Sequence, residues 1–194
     1  SVLQQKQFAT AAETTTVATT QATYAFSSRG ATPISIVLDS YPSLRPGGRG
    51  QKAQLVGRNS ALAEYRLVLG RDTVALDTIS LRPEKQSGAQ NSVVSFTGDG
   101  AGLTVRVAKG VAPEVEDQFM VRFSATVKEH PQEIGRLIQL PRTLQSNEAD
   151  TLDDLNHLAI SYRPTRGDVK SLGFSKLDST EVLAEPGPIN WVAT

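Results

Sequence analysis

From Asp117 to His130 the chain reads DQFMVRFSATVKEH, with Phe119, Val121, Phe123, Ala125 and Val127 on every second position and Met120, Arg122, Ser124, Thr126 and Lys128 between them. Successive side chains of an extended strand point to opposite faces, so this stretch has one oily face and one cationic, hydroxylated face. The oily face has to pack on something; the other is open to water, a partner protein or a polyanion. The alternation recurs in LTVRVAK, where Leu103, Val105 and Val107 are interleaved with Thr104, Arg106 and Ala108. It recurs again in AEYRLVLG, where Tyr65, Leu67 and Leu69 alternate with Glu64, Arg66 and Val68. A helix cannot satisfy this period, so the chain is constrained to pair these runs into sheet.

The turns between the runs come at short intervals, which favours antiparallel pairing. TTTVATTQATYAFSS, Thr14 to Ser28, reads as a weakly hydrophobic hairpin or arm because Thr and aromatic residues favour strand. ISIVLDSY is a strand that ends in the Pro- and Gly-rich loop PSLRPGGRGQK. KAQLVGR, AEYRLVLGR, DTVALDTISLR and SVVSFTG follow, with PEKQSGAQN reading as a separating loop, and TGDGAGLTVRVAKG sets an Asp-Gly turn between two strands. The pattern changes at Pro131. PQEIGRLIQL spaces Ile134, Leu137 and Ile138 as on a helix, with Pro at its first turn and Pro141 to end it. SNEADTLDDLNHLAISY predicts a second helix, capped by Ser146 or Asn147, with Leu152, Leu155, Leu158 and Ala159 on one face. A short strand is expected at 169–174, ahead of an extended Pro-Gly-Pro tail.

These readings predict an α+β chain, mostly antiparallel β, in one domain of 194 residues. Its parts are an arm or hairpin at 1–30, a sheet at 31–130, two C-terminal helices at 131–162 and an extension at 163–194. Twenty Lys and Arg balance twenty Asp and Glu, so no global field draws the chain to nucleic acid, and an anion-binding surface has to be a local patch. The opening SVLQQKQFATAAETTT lacks the charged start and apolar run of a signal peptide, and no window approaches the roughly 20 apolar residues of a membrane span, so a soluble chain is expected.

Catalytic constellations are sparse. The absence of cysteine removes disulfides, thiolate metal sites and cysteine nucleophiles. Asp153 and His157 have the spacing to share a helix face and a metal, but no further ligand is nominated, and a solvated acidic face is the plainer reading. His130 reads as a turn residue at a strand boundary. With two histidines and no Gly-x-Ser-x-Gly, a serine triad has little to draw on. GDGAG, Gly98 to Gly102, leads into a strand and not into a helix whose N-terminus could hold a phosphate, and RPGGRGQK lacks a P-loop ending. No enzyme, cofactor, metal or small-molecule substrate is expected.

What remains is the polar face. If the alternating strands are neighbours, Arg66, Thr104, Arg106, Arg122, Ser124, Thr126 and Lys128 form one surface of cations and hydroxyls suited to phosphate; ordinary wet-side residues of an antiparallel sheet are the plainer account. Arg45 and Arg49 in the Gly-rich loop are candidates for polyanion or subunit contact. Ile189, Trp191 and Val192 in the tail are candidates for docking on a neighbouring subunit or on their own chain.

AEYRLVLG, GLTVRVAKG, DQFMVRFSATVKEH and PQEIGRLIQL, from Ala63 to Leu158, together resemble in pattern the coat proteins of single-stranded RNA bacteriophages. The resemblance implies a sheet with one RNA-facing side, backed by helices packed across a homodimer. It implies self-assembly in the host cytoplasm into a virion, with subunits closing into an icosahedral shell around genomic RNA, and no membrane partner. The alternatives are a phage tail or decoration protein or other jelly-roll-like module that does not bind nucleic acid, and a carbohydrate-binding β-sandwich.

Overall fold

The computed structural model describes residues 12–57, 60–69, 71–87, 92–100, 103–111, 121–128, 134–139, 145–176 and 185–193. Asp117–Met120, His130, Pro131 and Pro141 lie outside them, as does most of the opening segment. The chain divides into two compact units, one of residues 1–43 and 50–145, the other of residues 44–49 and 146–194.

Among the described residues, the first unit has three antiparallel sheets. β1 (Thr14–Ala18), β2 (Ala22–Ser27), β3 (Thr32–Pro42) and β4 (Lys52–Gln54) pair in chain order. The Thr-rich opening folds as the expected hairpin, with Val17 opposite Tyr24 and Thr15 opposite Phe26. Burial alternates along both strands, so Thr15 and Val17 face inward with Ala22, Tyr24 and Phe26. β5 (Glu64–Leu69) lies between β6 (Asp72–Ala75) and β11 (Ile134–Gln139). β7 (Arg82–Ser87), β8 (Ser92–Gly100), β9 (Leu103–Val111) and β10 (Val121–Lys128) form the third sheet in the order β10-β9-β8-β7.

One apolar cluster joins the three sheets. It takes Tyr24, Phe26 and Ile36 from the first, Tyr65 and Leu67 from the second, and Val94, Phe96 and Val107 from the third. Phe26 and Phe96 meet edge to face with ring centroids 6.3 Å apart, and both are fully buried. Leu76, Ile79 and Leu81 plug the segment between β6 and β7 into the same cluster. That segment is clamped to the β2–β3 connection: Gly30 N–H donates to the Ile79 carbonyl at 3.2 Å, and Leu81 N–H to the Ser28 carbonyl at 2.8 Å. Gly30 has φ +65°, and a Cβ there would come within 2.8 Å of both Asp77 N and Leu76 C, so the close approach needs glycine twice over.

Two expectations are corrected. Residues 131–140 do not make a helix among the described residues; Ile134–Gln139 is strand β11, paired with β5 so that Ile138 lies opposite Tyr65 and Ile134 opposite Leu69. Two β-branched isoleucines and Gly135 are poor helix material, and the open edge of β5 offers six residues a full ladder. PEKQSGAQN is likewise not all loop, since Pro83 to Ser87 belong to β7.

The second unit holds β12 (Ala159–Pro164) between β13 (Lys170–Gly173) and β14 (Ile189–Ala193). Its one α-helix among the described residues, α1, spans Thr151–His157. Asp150, and not Ser146 or Asn147, caps it: Oδ1 accepts from Leu152 N–H at 3.0 Å and Asp153 N–H at 3.1 Å. Leu152 is 74% exposed and Ala159 already belongs to β12, so the expected apolar stripe is not formed. The chain is therefore mostly antiparallel β, with one seven-residue helix among the described residues where two were expected.

Two measurements check this packing. Truncating Phe96 to Ala should lower unfolding free energy by about 3–5 kcal/mol in chemical denaturation, as expected for a fully buried aromatic side chain. Gly30→Ala should cost about 2 kcal/mol or more, because backbone blocks its Cβ, whereas Gly50→Ala, at φ +79° with nothing within 4 Å, should cost only the roughly 1 kcal/mol of a left-handed alanine.

Candidate nucleic-acid interface

In antiparallel sheet, residues directly opposite one another project from the same face. On β9 and β10 Arg106 lies opposite Thr126, Thr104 opposite Lys128, Ala108 opposite Ser124 and Gly110 opposite Arg122. The register therefore brings Thr104, Arg106, Arg122, Ser124, Thr126 and Lys128, all read from sequence alternation, to one face of one sheet. Val105, Val107, Ala125 and Val127 occupy the opposite parity, and Val107 is fully buried in the core.

The face continues across the sheet. Thr97 lies opposite Arg106 and Arg82 opposite Thr97, so Arg82, Thr97, Arg106 and Thr126 form one row over four strands. With about 4.8 Å between strands, Arg82 and Arg106 stand about 10 Å apart at their backbones. Asp99 extends the Thr104–Lys128 row, and Glu84 lies opposite Ser95 in the row of Ala108 and Ser124. Arg82, Glu84 and Arg106 are exposed and Thr97 is half-buried, whereas Ser95 is only 2% exposed. The open part of the face thus lies along the Arg82–Thr97–Arg106 row. By register the face has four cationic positions (Arg82, Arg106, Arg122 and Lys128) against two anionic ones (Glu84 and Asp99), on a chain whose charges balance.

Arg66 is not part of this face. It is exposed, but on β5, which pairs with β6 and β11 in a separate sheet. Arg82 was missed because RPEKQS is polar at nearly every position and shows no period, and only its pairing with the alternating β8 places it; Thr97, on β8, joins the face through its pairing with Arg106. The Asp-Gly turn also shifts. Gly100 lies opposite Leu103, so Asp99 and Gly100 end β8 and are not the turn itself.

Arg45 and Arg49 belong to the second unit, where Leu44 N–H donates to the Asn147 carbonyl at 2.7 Å. His157 Nδ1 donates to the Asp153 carbonyl at 2.8 Å, its helical neighbour, and among the described residues no group of three or more metal-ligating side chains comes together. Nor is any helix among them long and apolar enough to cross a membrane.

The tail docks on its own unit. Tyr162 of β12 lies opposite Val192 and Arg163 opposite Trp191. Ile189, Trp191 and Val192 nevertheless remain 45%, 42% and 57% exposed, so Trp191 is no buried anchor. The polar hold lies at Glu185, whose Oε1 accepts from Lys170 Nζ at 2.6 Å and from the Tyr162 hydroxyl at 2.7 Å. The bond from Lys170, then that from Tyr162, keeps the Glu185 carboxyl below the ordinary carboxylate range; the same bond to Glu185 raises the Lys170 ammonium.

A depressed carboxylate contributes stability that is complete above the ordinary carboxylate range and lost as pH falls through the lowered value; a raised ammonium contributes below its ordinary value and loses it as pH rises through the raised one. Trp191 is the chain's one tryptophan, so its emission reports the tail. Its emission should hold steady across neutral pH, shift red below the carboxylate range and again at strongly alkaline pH. Glu185→Gln should abolish the acid limb; an acid limb unchanged in that variant would assign it elsewhere.

No protein-family model, no curated protein and no solved structure matches the chain, so its reading rests on the geometry above.

Proposed function

We propose that the chain is a self-associating structural protein, a coat protein of the kind that encloses single-stranded RNA, with the polar face of the β7–β10 sheet turned towards the RNA. The observation that carries this reading is the register, which gathers Arg82, Arg106, Arg122 and Lys128 with Thr97, Thr104, Ser124 and Thr126 on one face of one sheet. Fixed cations interleaved with hydroxyls suit a phosphate backbone and carry no base specificity, as a protein that packages RNA requires. The subunit of this proposal forms homodimers that close into an icosahedral shell within the virion, after assembly in the host cytoplasm, and carries out no catalysis. With one short helix among the described residues, its dimer would join through strands in place of two exchanged helices.

A structural module without affinity for nucleic acid is the second reading. Glu84 and Asp99 favour it, because carboxylates on the same face oppose a polyanion.

One titration separates the two. Arg82→Ser with Arg106→Ser removes two exposed cations from one row without touching the core. The double variant should bind single-stranded RNA more weakly and flatten the log-affinity against log-salt slope by about 1.4, at roughly 0.7 for each lost phosphate contact. Arg66→Ser, on the separate sheet, should leave both unchanged. Equal affinity and slope in parent and double variant would leave the face merely wet and sink the RNA reading.

A further inference from the structure

We propose that β14 is an exchangeable strand: residues 185–193 of one chain pair with β12 of a second copy in place of their own, and so join subunits. The proposal deepens the self-association in the reading above and does not need the RNA face.

No residue of β14 is buried in its own chain. All five of its residues are exposed. What holds it is main-chain pairing with β12 over Ser161–Pro164, broken by a register shift at Arg163 and Pro164. Thr165 adds two bonds to the Pro188 carbonyl, from N–H at 2.9 Å and from Oγ1 at 2.8 Å. The Glu185 carboxylate sits between Tyr162 and Lys170, with the Lys170 ammonium 6.0 Å above the Tyr162 ring.

Each of these bonds ends on β12, on β13 or on Thr165 beside them, and a second copy presents the same groups in the same register. Leaving one chain for another therefore exchanges like for like, the condition under which strand exchange is a low-cost route to a dimer. Pro186 and Gly187 form a bend that leads into β14, and the two prolines lower the entropy lost when this lead is ordered on either copy.

The chain has no cysteine, which makes the test clean. Ser161 and Ala193 are register partners across β12 and β14, at a separation a disulfide spans. Ser161→Cys and Ala193→Cys are made in separate chains, mixed at micromolar concentration and oxidised. Exchange yields a covalent pair of chains linked at these two positions by peptide mapping, several-fold above a mixture of Ala193→Cys with Ser175→Cys, a site in the turn after β13. Adding Glu185→Gln to the Ala193→Cys chain should speed linkage. No excess over the control mixture overturns the proposal, and so does a yield dominated by Ala193→Cys homodimers, the signature of edge-to-edge pairing of two β14 strands. Repeating the mixture in the Arg82→Ser, Arg106→Ser background leaves the yield unchanged if exchange is independent of RNA, so failure of one reading can be told from failure of the other.

Discussion

The edge-to-face contact of Phe26 and Phe96 is the interaction on which the rest of the first unit depends. These rings come from different sheets, and burying both fixes how the β1–β4 sheet is set against the β7–β10 sheet. Once Phe96 points inward, parity does the remaining work. Val94 falls on the same side and Thr97 on the other, and its register partners Arg82 on β7 and Arg106 on β9 are exposed. The basic face is thus a consequence of core packing: slipping β8 by one residue would bury Thr97 and turn Phe96 to water.

Alternation was legible wherever a strand has one side in the core. β5, β8 and β9 can be read from sequence because Tyr65 and Leu67, Val94 and Phe96, and Val107 alternate with polar residues. The Thr-rich hairpin was legible through β-propensity although its apolar content is low. β7 was not, because an edge strand of RPEKQS takes its shape from β8 and carries no pattern of its own. β11 failed for another reason. Six residues with Ile134, Leu137 and Ile138 fit either period, and the choice was made by β5, far away in the chain.

The candidate site followed the same division. Six of the seven positions expected on the basic face share a sheet side because β9 and β10 are adjacent, which their matching alternation suggested. Arg66 has the same local pattern and lies on another sheet; periodicity says which way a side chain points, not which strand is its neighbour. Arg82 joined the face through strand order alone. In the second unit, the polar hold of Glu185 on Tyr162 and Lys170 had no local signal, since its partners lie 23 and 15 residues away.

The pairing of β11 with β5 also sets an order on biogenesis. β5 and β6 are close in sequence and can meet as soon as both leave the ribosome, but the other edge of β5 waits for residues 134–139, about 65 residues later at the nearest pair. Loops of that length close late, after the hairpins between have formed. Until then Leu67 and Tyr65 sit beside an unpaired edge, the kind of surface that recruits other nascent chains. A polysome making this protein therefore carries its sticky edge while residues 70 to 133 are being made, and β11 is the strand that retires it.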